Sequence, residues 1–361
     1  MKTHLLTLPK KVVVLIASIL LVVFMAGPAF SLEKIRVSHQ PCKHALPTVM
    51  AIEKGWFKEL GIEVSFHYFA AGMSQVEAGI AGEWDVGAMG TPPALFGGVK
   101  YGLETIGASI TQELIEWLLI KEKDQKAFKA NPKEWLKGKT ILVTTISTGH
   151  YQLLGNLKNW GLSEKDVKIV HMGPAAILSA FVAGEGDVYQ AWAPWCYLLQ
   201  SKGAVKIADG ATGGITIPGA LVATPKFAKE RPDLVAKWLE GYLRGVLYEY
   251  QHPGEAAKYL QAYYKKLGLD IAYSSCLEEM RSEPKFPIYD QLRLMERKDG
   301  QPSEMDQYIS DLAGFFVLQG KLKKAPDVTK FITDKYMKIA AENMEKTSID
   351  EAKFKVFGIK K

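Results

Sequence analysis

Three short segments of the chain combine glycine with hydroxyl-bearing or aromatic side chains where helices are predicted to begin. Helix N-termini present unpaired backbone N–H groups and the positive end of the helix dipole, so they attract anions. Each segment alone is compatible with ordinary helix capping, but three at the ends of predicted strands indicate one shared anion site. The candidate ligand-binding residues in these segments are Gly72, Met73, Ser74, Gly90, Thr91, Thr148, Gly149, His150 and Tyr151.

Two further side chains are expected to face the same ligand. Trp192 lies where a strand should end, and it is predicted to form an apolar wall, with packing at a hinge as the alternative. Gln40 follows the first predicted strand and is expected to donate from its amide; the alternative is a solvated loop residue. Thr91 is predicted to be an N-cap because a proline follows it. His39 and His44 are expected to be structural.

The sequence lacks the common catalytic patterns, including G-x-S-x-G, H-E-x-x-H, C-x-x-C, a Walker sequence and a G-x-G-x-x-G after a strand. The histidines are too scattered to predict a metal site. Glu113 and Glu116 would share one solvated face if they lay on a helix. We therefore expect no enzyme and no cofactor.

Alternation of strands and helices predicts a parallel α/β sheet in the first part of the chain. Strands are expected over 35–39 and 62–69, and a helix over 46–54. A second helix is predicted to open with a capping box at 74–77 and to end at Gly82. After residue 210 the pattern predicts a strand at 217–223 and helices over 232–250, 253–264, 303–319 and 327–345.

An internal echo indicates that one supersecondary unit occurs twice. The sequence Ala-Gly-Glu-Trp-Asp-Val at 81–86 returns as Ala-Gly-Glu-Gly-Asp-Val at 183–188. A proline follows the aspartate by seven residues in both copies, at Pro92 and Pro194. Chance similarity between two α/β units is the alternative. A true repeat predicts two lobes with a cleft between the carboxyl ends of their strands, where open α/β sheets bind ligands.

The N-terminus predicts export. Three lysines and an apolar run precede Ala29 and Ser31, as in a secretory signal peptide cleaved near Ser31. An uncleaved anchor helix is the alternative. Removing these lysines lowers the net charge from +6 to about +3, too little to indicate a nucleic-acid partner. In an oxidising compartment Cys42, Cys196 and Cys276 allow at most one intrachain disulfide, and the pairing stays open.

Together these residues resemble the nitrate/taurine/sulfonate class of periplasmic binding proteins of ABC transporters. The resemblance runs from about residue 35 to 265. The motifs that carry it are Gly72–Ala78, Ala81–Gly87, Gly90–Pro93, Tyr101-Gly102, Lys137–Lys139, Ser147–His150, Gly161-Leu162, Trp192–Pro194, Pro218–Val222 and Pro232-Asp233. It places the binding loops of the family at Gln40, Gly72, Thr91, Thr148, Gly149, His150 and Trp192. One departure is Ala193, where many sulfonate-type members carry an acid.

This resemblance implies an α/β fold of two Rossmann-like lobes joined by a two-strand hinge, the type II periplasmic-binding-protein fold. The expected division is a signal peptide at 1–31, the first part of lobe 1 at 32–122, lobe 2 at 123–212, and at 213–361 the return to lobe 1 plus C-terminal helices.

The resemblance also implies a periplasmic monomer that captures a small organic anion by lobe closure. A sulfonate or a carboxylate is the first choice of ligand, and a nitrate-like oxyanion is also compatible. The implied partners are an inner-membrane permease and an ATPase. The alternatives are an enzyme on the same fold, such as one of thiamin-pyrimidine synthesis, and a sensor that presents ligand to a receptor.

Overall fold

A computed structural model of the protein describes residues 31–346. Ten strands within this range form two sheets of five strands each. The predicted signal peptide lies outside the described residues, except for Ser31. The C-terminal helix ends at Lys346, so the last part of the predicted segment 213–361, residues 347–361, also lies outside the described residues.

The first sheet contains strands from both ends of the described chain. Its order is β2-β1-β3-β10-β4. β1, β2 and β3 are parallel to one another, whereas β10 runs antiparallel to both β3 and β4. The strand bounds are β1 Glu33–His39, β2 Ile62–Tyr68, β3 Val86–Met89, β4 Glu104–Thr111 and β10 Pro218–Ala223. The strand predicted at 217–223 is present as β10 and pairs with β3 and β4 of this sheet.

The second sheet repeats this arrangement with the order β7-β6-β8-β5-β9. β6, β7 and β8 are parallel, and β5 runs antiparallel to both of its neighbours. The strand bounds are β5 Glu116–Lys121, β6 Thr140–Val143, β7 Lys168–His171, β8 Val188–Trp192 and β9 Ala204–Ala208. The two α/β lobes predicted from the sequence are thus present.

Two crossovers connect the lobes, at 112–115 and 209–217. We predicted that lobe 1 extends to residue 122, which would include Glu116–Lys121. That strand instead pairs with β8 and β9 of the second sheet, so the first crossover precedes it. Each lobe therefore receives its antiparallel strand directly after a crossover from the other lobe, which ties the two lobes together.

The echo in the sequence corresponds to a repeated local structure. Gly82 and Gly184 have φ values of 77° and 81°, a left-handed conformation that glycine adopts without steric cost. The following aspartate in each copy accepts a hydrogen bond from the backbone of the first parallel strand of its lobe, β1 or β6. Arg36 N donates to Asp85 Oδ2 at 2.8 Å, and Thr140 N donates to Asp187 Oδ2 at 2.9 Å. Both aspartates thus fix the turn before a strand.

Helices cover both sheets and form an additional layer at the C-terminal end. Their bounds are α1 Leu46–Glu53, α2 Trp56–Glu59, α3 Gly72–Ile80, α4 Thr91–Tyr101, α5 Gln125–Ala130, α6 Pro132–Leu136, α7 Thr148–Asn159, α8 Pro174–Val182, α9 Trp195–Ser201, α10 Pro225–Glu230, α11 Pro232–Gln251, α12 Pro253–Lys266, α13 Tyr273–Ser282, α14 Ile288–Met295, α15 Glu304–Leu318 and α16 Lys335–Lys346. Trp84 and Trp238 are among the large aromatic side chains that are fully buried.

Two local predictions were wrong. The helix expected over 327–345 begins only at Lys335, because Val328–Lys330 forms a single 3-10 turn that ends before Phe331. The capping box expected at 74–77 is absent, because α3 already begins at Gly72. Ser74 lies inside the helix, and its hydroxyl donates to Ala71 O at 2.8 Å.

Candidate functional site

A small cavity lies between the two lobes at the carboxyl ends of their strands. Its volume is about 30 Å³, room for only one or two water molecules. The lining residues come from both lobes, from the first crossover and from the C-terminal layer: Gln40, Cys42, His44, Gly72, Gly90, Pro93, Gln112, Ile115, Glu116, Ser147, Thr148, Trp192, Ala193 and Glu283. The lobes therefore approach each other closely around this point.

Five of the eleven predicted site residues line this cavity: Gln40, Gly72, Gly90, Thr148 and Trp192. The amide of Gln40 is held in place because its Nε2 donates to Gln75 Oε1 at 3.1 Å. Gln75 is anchored in turn, since its Nε2 donates to Ser38 Oγ at 2.8 Å. The Thr148 hydroxyl donates to Gln112 Oε1 at 3.2 Å, which links α7 to the first crossover.

Three of these residues bring helix N-termini to the cavity. Gly72 and Thr148 are the first residues of α3 and α7, and Gly90 is the N-cap of α4. The first N–H groups of a helix have no partner within the helix. Two of the helices belong to lobe 1 and one to lobe 2, so the arrangement offers N–H donors to an anion from both sides.

The remaining predicted residues near these N-termini do not line the cavity. Thr91 is buried, and its hydroxyl donates to the Pro218 carbonyl instead of capping α4, whose N-cap is Gly90. Ser74 bonds to its own turn, and Met73 packs against the hydrophobic core of lobe 1. The side chains of Thr91 and Met73 thus stabilise the scaffold around the N-termini.

On α7 the residues that follow Thr148 also make structural contacts. A Cβ atom on Gly149 would lie 1.8 Å from Gln190 Nε2, so this glycine allows α7 to approach β8. The buried His150 ring contacts Glu164 Oε1 through Nε2 at 3.1 Å. The ring of Tyr151 packs edge-on against Phe315, with 4.6 Å between ring centroids.

Two carboxylates that we did not single out as ligand-binding residues also line the cavity. Glu116 is the first residue of β5, directly opposite Trp192 in the sheet, and Gln190 Nε2 donates to its Oε2 at 2.9 Å. Burial raises the pKa of the Glu116 carboxyl to about 8. We interpreted Glu113 and Glu116 as residues that would share one solvated face if they lay on a helix. That was wrong for Glu116, which lies on a strand and is buried.

Glu283 approaches the cavity from the C-terminal layer, directly after α13. Its side chain is buried, and burial, together with the charge of Glu279, raises its pKa well above the usual range. Glu283 Oε2 and Trp192 Nε1 have no hydrogen-bond partner among the described residues. Because buried polar groups are normally paired, these two atoms indicate unfilled bonding capacity around the cavity.

Behind Glu283 lies a buried group of charged residues. Lys43 Nζ donates to the carbonyl oxygens of Glu279 and Glu283 at 3.1 and 2.6 Å. Lys285 Nζ donates to Lys43 O at 2.8 Å, and both ammonium groups lie within 4 Å of the Glu249 carboxylate. Burial lowers the pKa of Lys285 to about 8. Neither lysine is among the lining residues, so both act as scaffold for the segment that carries Glu283.

The histidines next to the cavity have structural contacts, as predicted. His39 Nε2 contacts Thr48 Oγ1 at 3.2 Å, and burial lowers the pKa of His39 to about 3. His44 lines the cavity, but its Nδ1 contacts Ser109 Oγ at 2.7 Å, and burial lowers its pKa well below the usual value. Both imidazoles are therefore neutral near pH 7 and supply no positive charge.

The cysteines do not form a disulfide in the described structure; Cys42, Cys196 and Cys276 are buried free thiols. Among residues 31–346 no cluster of three or more histidine, cysteine, aspartate or glutamate side chains has the arrangement needed for a metal ion. A search of the same residues finds no helix with the length and apolar character required to cross a membrane.

The two sheets, the two crossovers and the interlobe cavity define the two-lobed fold of periplasmic binding proteins. The sequence model described as "NMT1/THI5 like" matches residues 43–256, which is more than half of the chain. This chain therefore belongs to the NMT1/THI5-like family.

Curated relatives and solved structures agree with this assignment. A Bacillus subtilis (strain 168) protein named for binding aliphatic sulfonates is 30% identical over 240 residues, covering 64% of this chain and 70% of the relative. The taurine-binding periplasmic protein of Escherichia coli (strain K12) is 30% identical over 224 residues, or 61% and 67% of the two chains.

Among solved structures, the alkanesulfonate-binding protein of Xanthomonas axonopodis pv. citri superimposes with a TM-score of 0.69 at 21% identity, covering 83% of this chain and 98% of that one. A desulfurization enzyme superimposes with a TM-score of 0.60 at 15% identity, covering 86% and 99%. At these identities the superpositions show the fold alone, and the fold is shared by binding proteins and an enzyme.

Proposed function

We propose that this protein is the periplasmic substrate-binding component of an ABC importer and captures a small organic anion between its lobes. The observation that carries the proposal is the meeting of three helix N-termini, at Gly72, Gly90 and Thr148, around one interlobe cavity. Closure of two lobes joined by crossovers is an established way to enclose a ligand in this kind of fold.

A sulfonate or a carboxylate is the first choice of ligand, and a nitrate-like oxyanion is compatible with the same donors. The relatives named for aliphatic sulfonates and taurine support the sulfonate. Each hydrogen bond to a charged group contributes roughly 1.5–3 kcal/mol, and micromolar binding requires about 8 kcal/mol. About four such bonds, with contact to the Trp192 ring, would suffice after the cost of ordering the partners.

The partners follow from this function. A periplasmic binding protein delivers its ligand to a permease and an ATPase in the inner membrane, and the names of the relatives support the same assignment here. We propose that the protein acts as a monomer in the periplasm after cleavage near Ser31. The predicted signal peptide supports this location.

Binding rather than catalysis is favoured by the chemistry of the cavity. Cys42 is the only cysteine among the lining residues, and burial raises the pKa of its thiol well above the usual range. A reactive cysteine needs the opposite shift, because the thiolate is the nucleophile. A cavity with a neutral thiol and a neutral imidazole, that of His44, fits a receptor better than the enzyme alternative.

Intrinsic tryptophan fluorescence of the mature protein tests this proposal, because the Trp192 indole borders the cavity. The protein would be titrated with ethanesulfonate, 2-aminoethanesulfonate, butanoate, 3-aminopropanoate and nitrate. We expect a saturable change with at least one sulfonate or carboxylate, matched by heat in calorimetry. Absence of both signals across the panel, from protein that melts cooperatively, would contradict the proposed function.

A further inference from the structure

The charge of the cavity lining differs from what a simple anion would need. The lining residues include two carboxylates, Glu116 and Glu283, and no lysine or arginine. Ionisation of either carboxyl would oppose a ligand that carries only negative charge, because no cationic side chain lines the cavity. The helix N-termini at Gly72, Gly90 and Thr148 attract negative charge, so the same cavity presents two opposite kinds of recognition.

Glu116 is held rigidly in its position. It lies on β5 between β8 and β9, is 4% exposed, and receives a hydrogen bond from Gln190 on the neighbouring strand. Gln190 Oε1 itself has no partner among the described residues. Once ionised, Glu116 would need partners beyond Gln190, because an ionised carboxylate accepts about four hydrogen bonds.

Glu283 supplies a second, independent indication of a ligand. The residue is 1% exposed, lines the cavity, and its Oε2 lacks a hydrogen-bond partner within residues 31–346. The nearby Lys43 ammonium donates to the Glu283 backbone carbonyl at 2.6 Å and to the Glu279 carbonyl. Lys285 is directed to the carbonyl of Lys43. Neither lysine forms a hydrogen bond with the Glu283 carboxyl. The Glu279 side chain does, so only Oε2 of Glu283 is left for the cavity.

We propose that the cleft is built for a zwitterionic ligand, with its protonated amine between the Glu116 and Glu283 carboxylates and its acidic group at the helix N-termini. This inference rests on the proposed function and adds the class of ligand and its specificity-determining residues. Trp192 Nε1, the unpaired donor of the lining, is suited to the acidic group. Ala193 carries no charge, so Glu116 and Glu283 are the residues that distinguish amine-bearing from amine-free ligands.

Matched ligands test the requirement for the amine. Isothermal titration calorimetry of the mature protein would compare 2-aminoethanesulfonate with ethanesulfonate, and 3-aminopropanoate with butanoate. The members of each pair differ chiefly in the amine. A buried, charge-assisted hydrogen bond to a ligand changes affinity by about tenfold or more. In whichever pair binds, we therefore expect the amine-bearing ligand to bind at least about tenfold more tightly than its amine-free partner.

Matched variants test the two residues. Glu116→Gln and Glu283→Gln keep the size of the side chain and remove its ability to ionise. Each is expected to weaken binding of the amine-bearing ligand about tenfold or more, with little change for the amine-free one. Glu113→Gln, a half-buried glutamate three residues earlier that does not line the cavity, is the control and should keep the preference. Thermal melting checks that each variant folds. If Glu283→Gln does not fold, Glu116→Gln alone is enough to test the proposal.

Proton release provides a readout that a purely structural role would not give. A cation placed beside a protonated carboxyl favours its ionisation, so binding at pH 7 should release up to about one proton per ligand. Burial holds the pKa of Glu116 near 8, in the range where this release is measurable. The titratable groups packed around the two glutamates include Glu279, Lys43, Lys285, His44, Cys42, Cys196, Tyr197, Tyr242 and Tyr264.

Calorimetry in buffers with different ionisation heats would measure this release. We expect release with the amine-bearing ligand in the native protein and its loss in Glu116→Gln. Equal or tighter binding of the amine-free ligand, or a preference that survives both substitutions, would overturn this inference and leave the proposed function standing. Failure of the native protein to bind any of the four ligands would count against the proposed function and remove the basis for this inference.

Discussion

Gly90 and Thr148 meet across the cleft: a Cβ atom on Gly90 would lie 2.7 Å from Thr148 Oγ1. Gly90 caps α4 in lobe 1, and Thr148 begins α7 in lobe 2. This contact joins two helix N-termini from different lobes at the edge of the cavity. The absence of a side chain at Gly90 therefore permits the close approach of the lobes.

Replacing Gly90 with valine should hinder lobe closure. The backbone φ of −63° accepts an L-residue, so the expected effect comes from the collision with Thr148. We expect at least a tenfold loss of affinity for whichever panel ligand binds, measured by calorimetry. The control is Gly173→Val, at the N-cap of α8, where a Cβ atom would have no neighbour within 4 Å. Unchanged affinity in Gly90→Val would contradict the role of this contact.

Replacing Gly149 with alanine should destabilise lobe 2. The new methyl carbon would lie 1.8 Å from Gln190 Nε2 and 2.1 Å from Gln190 Cδ, so α7 or Gln190 must move. Overpacking of this kind costs about 1–3 kcal/mol of the free energy of unfolding. Urea denaturation would measure the loss, with Gly173→Ala as the control. A loss below about 0.5 kcal/mol would show that the contact relaxes easily.

The two aspartates of the repeat should differ in their contribution to stability. Asp85 is 8% exposed and bonds Arg36 through its backbone N and its guanidinium, whereas Asp187 is 36% exposed and its contact with Lys139 spans 3.4 Å. We expect Asp85→Ala to cost about 1–3 kcal/mol of unfolding free energy and Asp187→Ala about half as much. If urea denaturation shows the same loss of unfolding free energy for both variants, the burial of the aspartate does not determine its contribution to stability.

Glu116 should make the stability of the protein depend on pH. Its carboxyl pKa is about 8 in the folded protein, against about 4.3 in an unfolded chain, so the folded state binds more protons between these values. The contribution of this residue to stability is therefore greatest below about pH 4 and falls as pH rises to about 8. The effect has an upper bound of about 1.4 kcal/mol per pH unit.

Glu116→Gln removes this titration and should gain stability relative to the native protein as pH rises from 5 to 8. Urea denaturation at several pH values would measure the difference between the two proteins. Glu83→Gln, at an exposed position, serves as the control. If the difference in unfolding free energy between Glu116→Gln and the native protein does not change with pH, Glu116 is not held neutral by burial.

Much of the fold could be predicted from the sequence because its two lobes share a local pattern. The repeated Ala-Gly-Glu-x-Asp-Val segment specifies a left-handed glycine, a fixing aspartate and a buried strand, and the structure shows all three in both copies. The same kind of local pattern predicted the site residues Gly72, Gly90 and Thr148. Each of them lies where a helix begins after a strand.

The carboxylates of the cavity were harder to predict. Glu116 precedes a short apolar run at 117–120, and such runs do not distinguish a strand from a buried helix. Glu283 is brought to the cavity by packing between segments far apart in the chain, as the Lys43 contact with the Glu279 carbonyl, 236 residues away, shows. Local patterns carry no information about such contacts.

Native mass spectrometry of the mature protein, purified from the periplasm without refolding, tests the central claim most directly. We expect a fraction of the protein to carry one small molecule that contains an acidic group and is displaced by a panel ligand. The same molecule should be depleted in Gly90→Val. Protein found only at the mass of its own chain, with no added mass at saturating concentrations of every panel ligand, would contradict capture of an anion between the lobes.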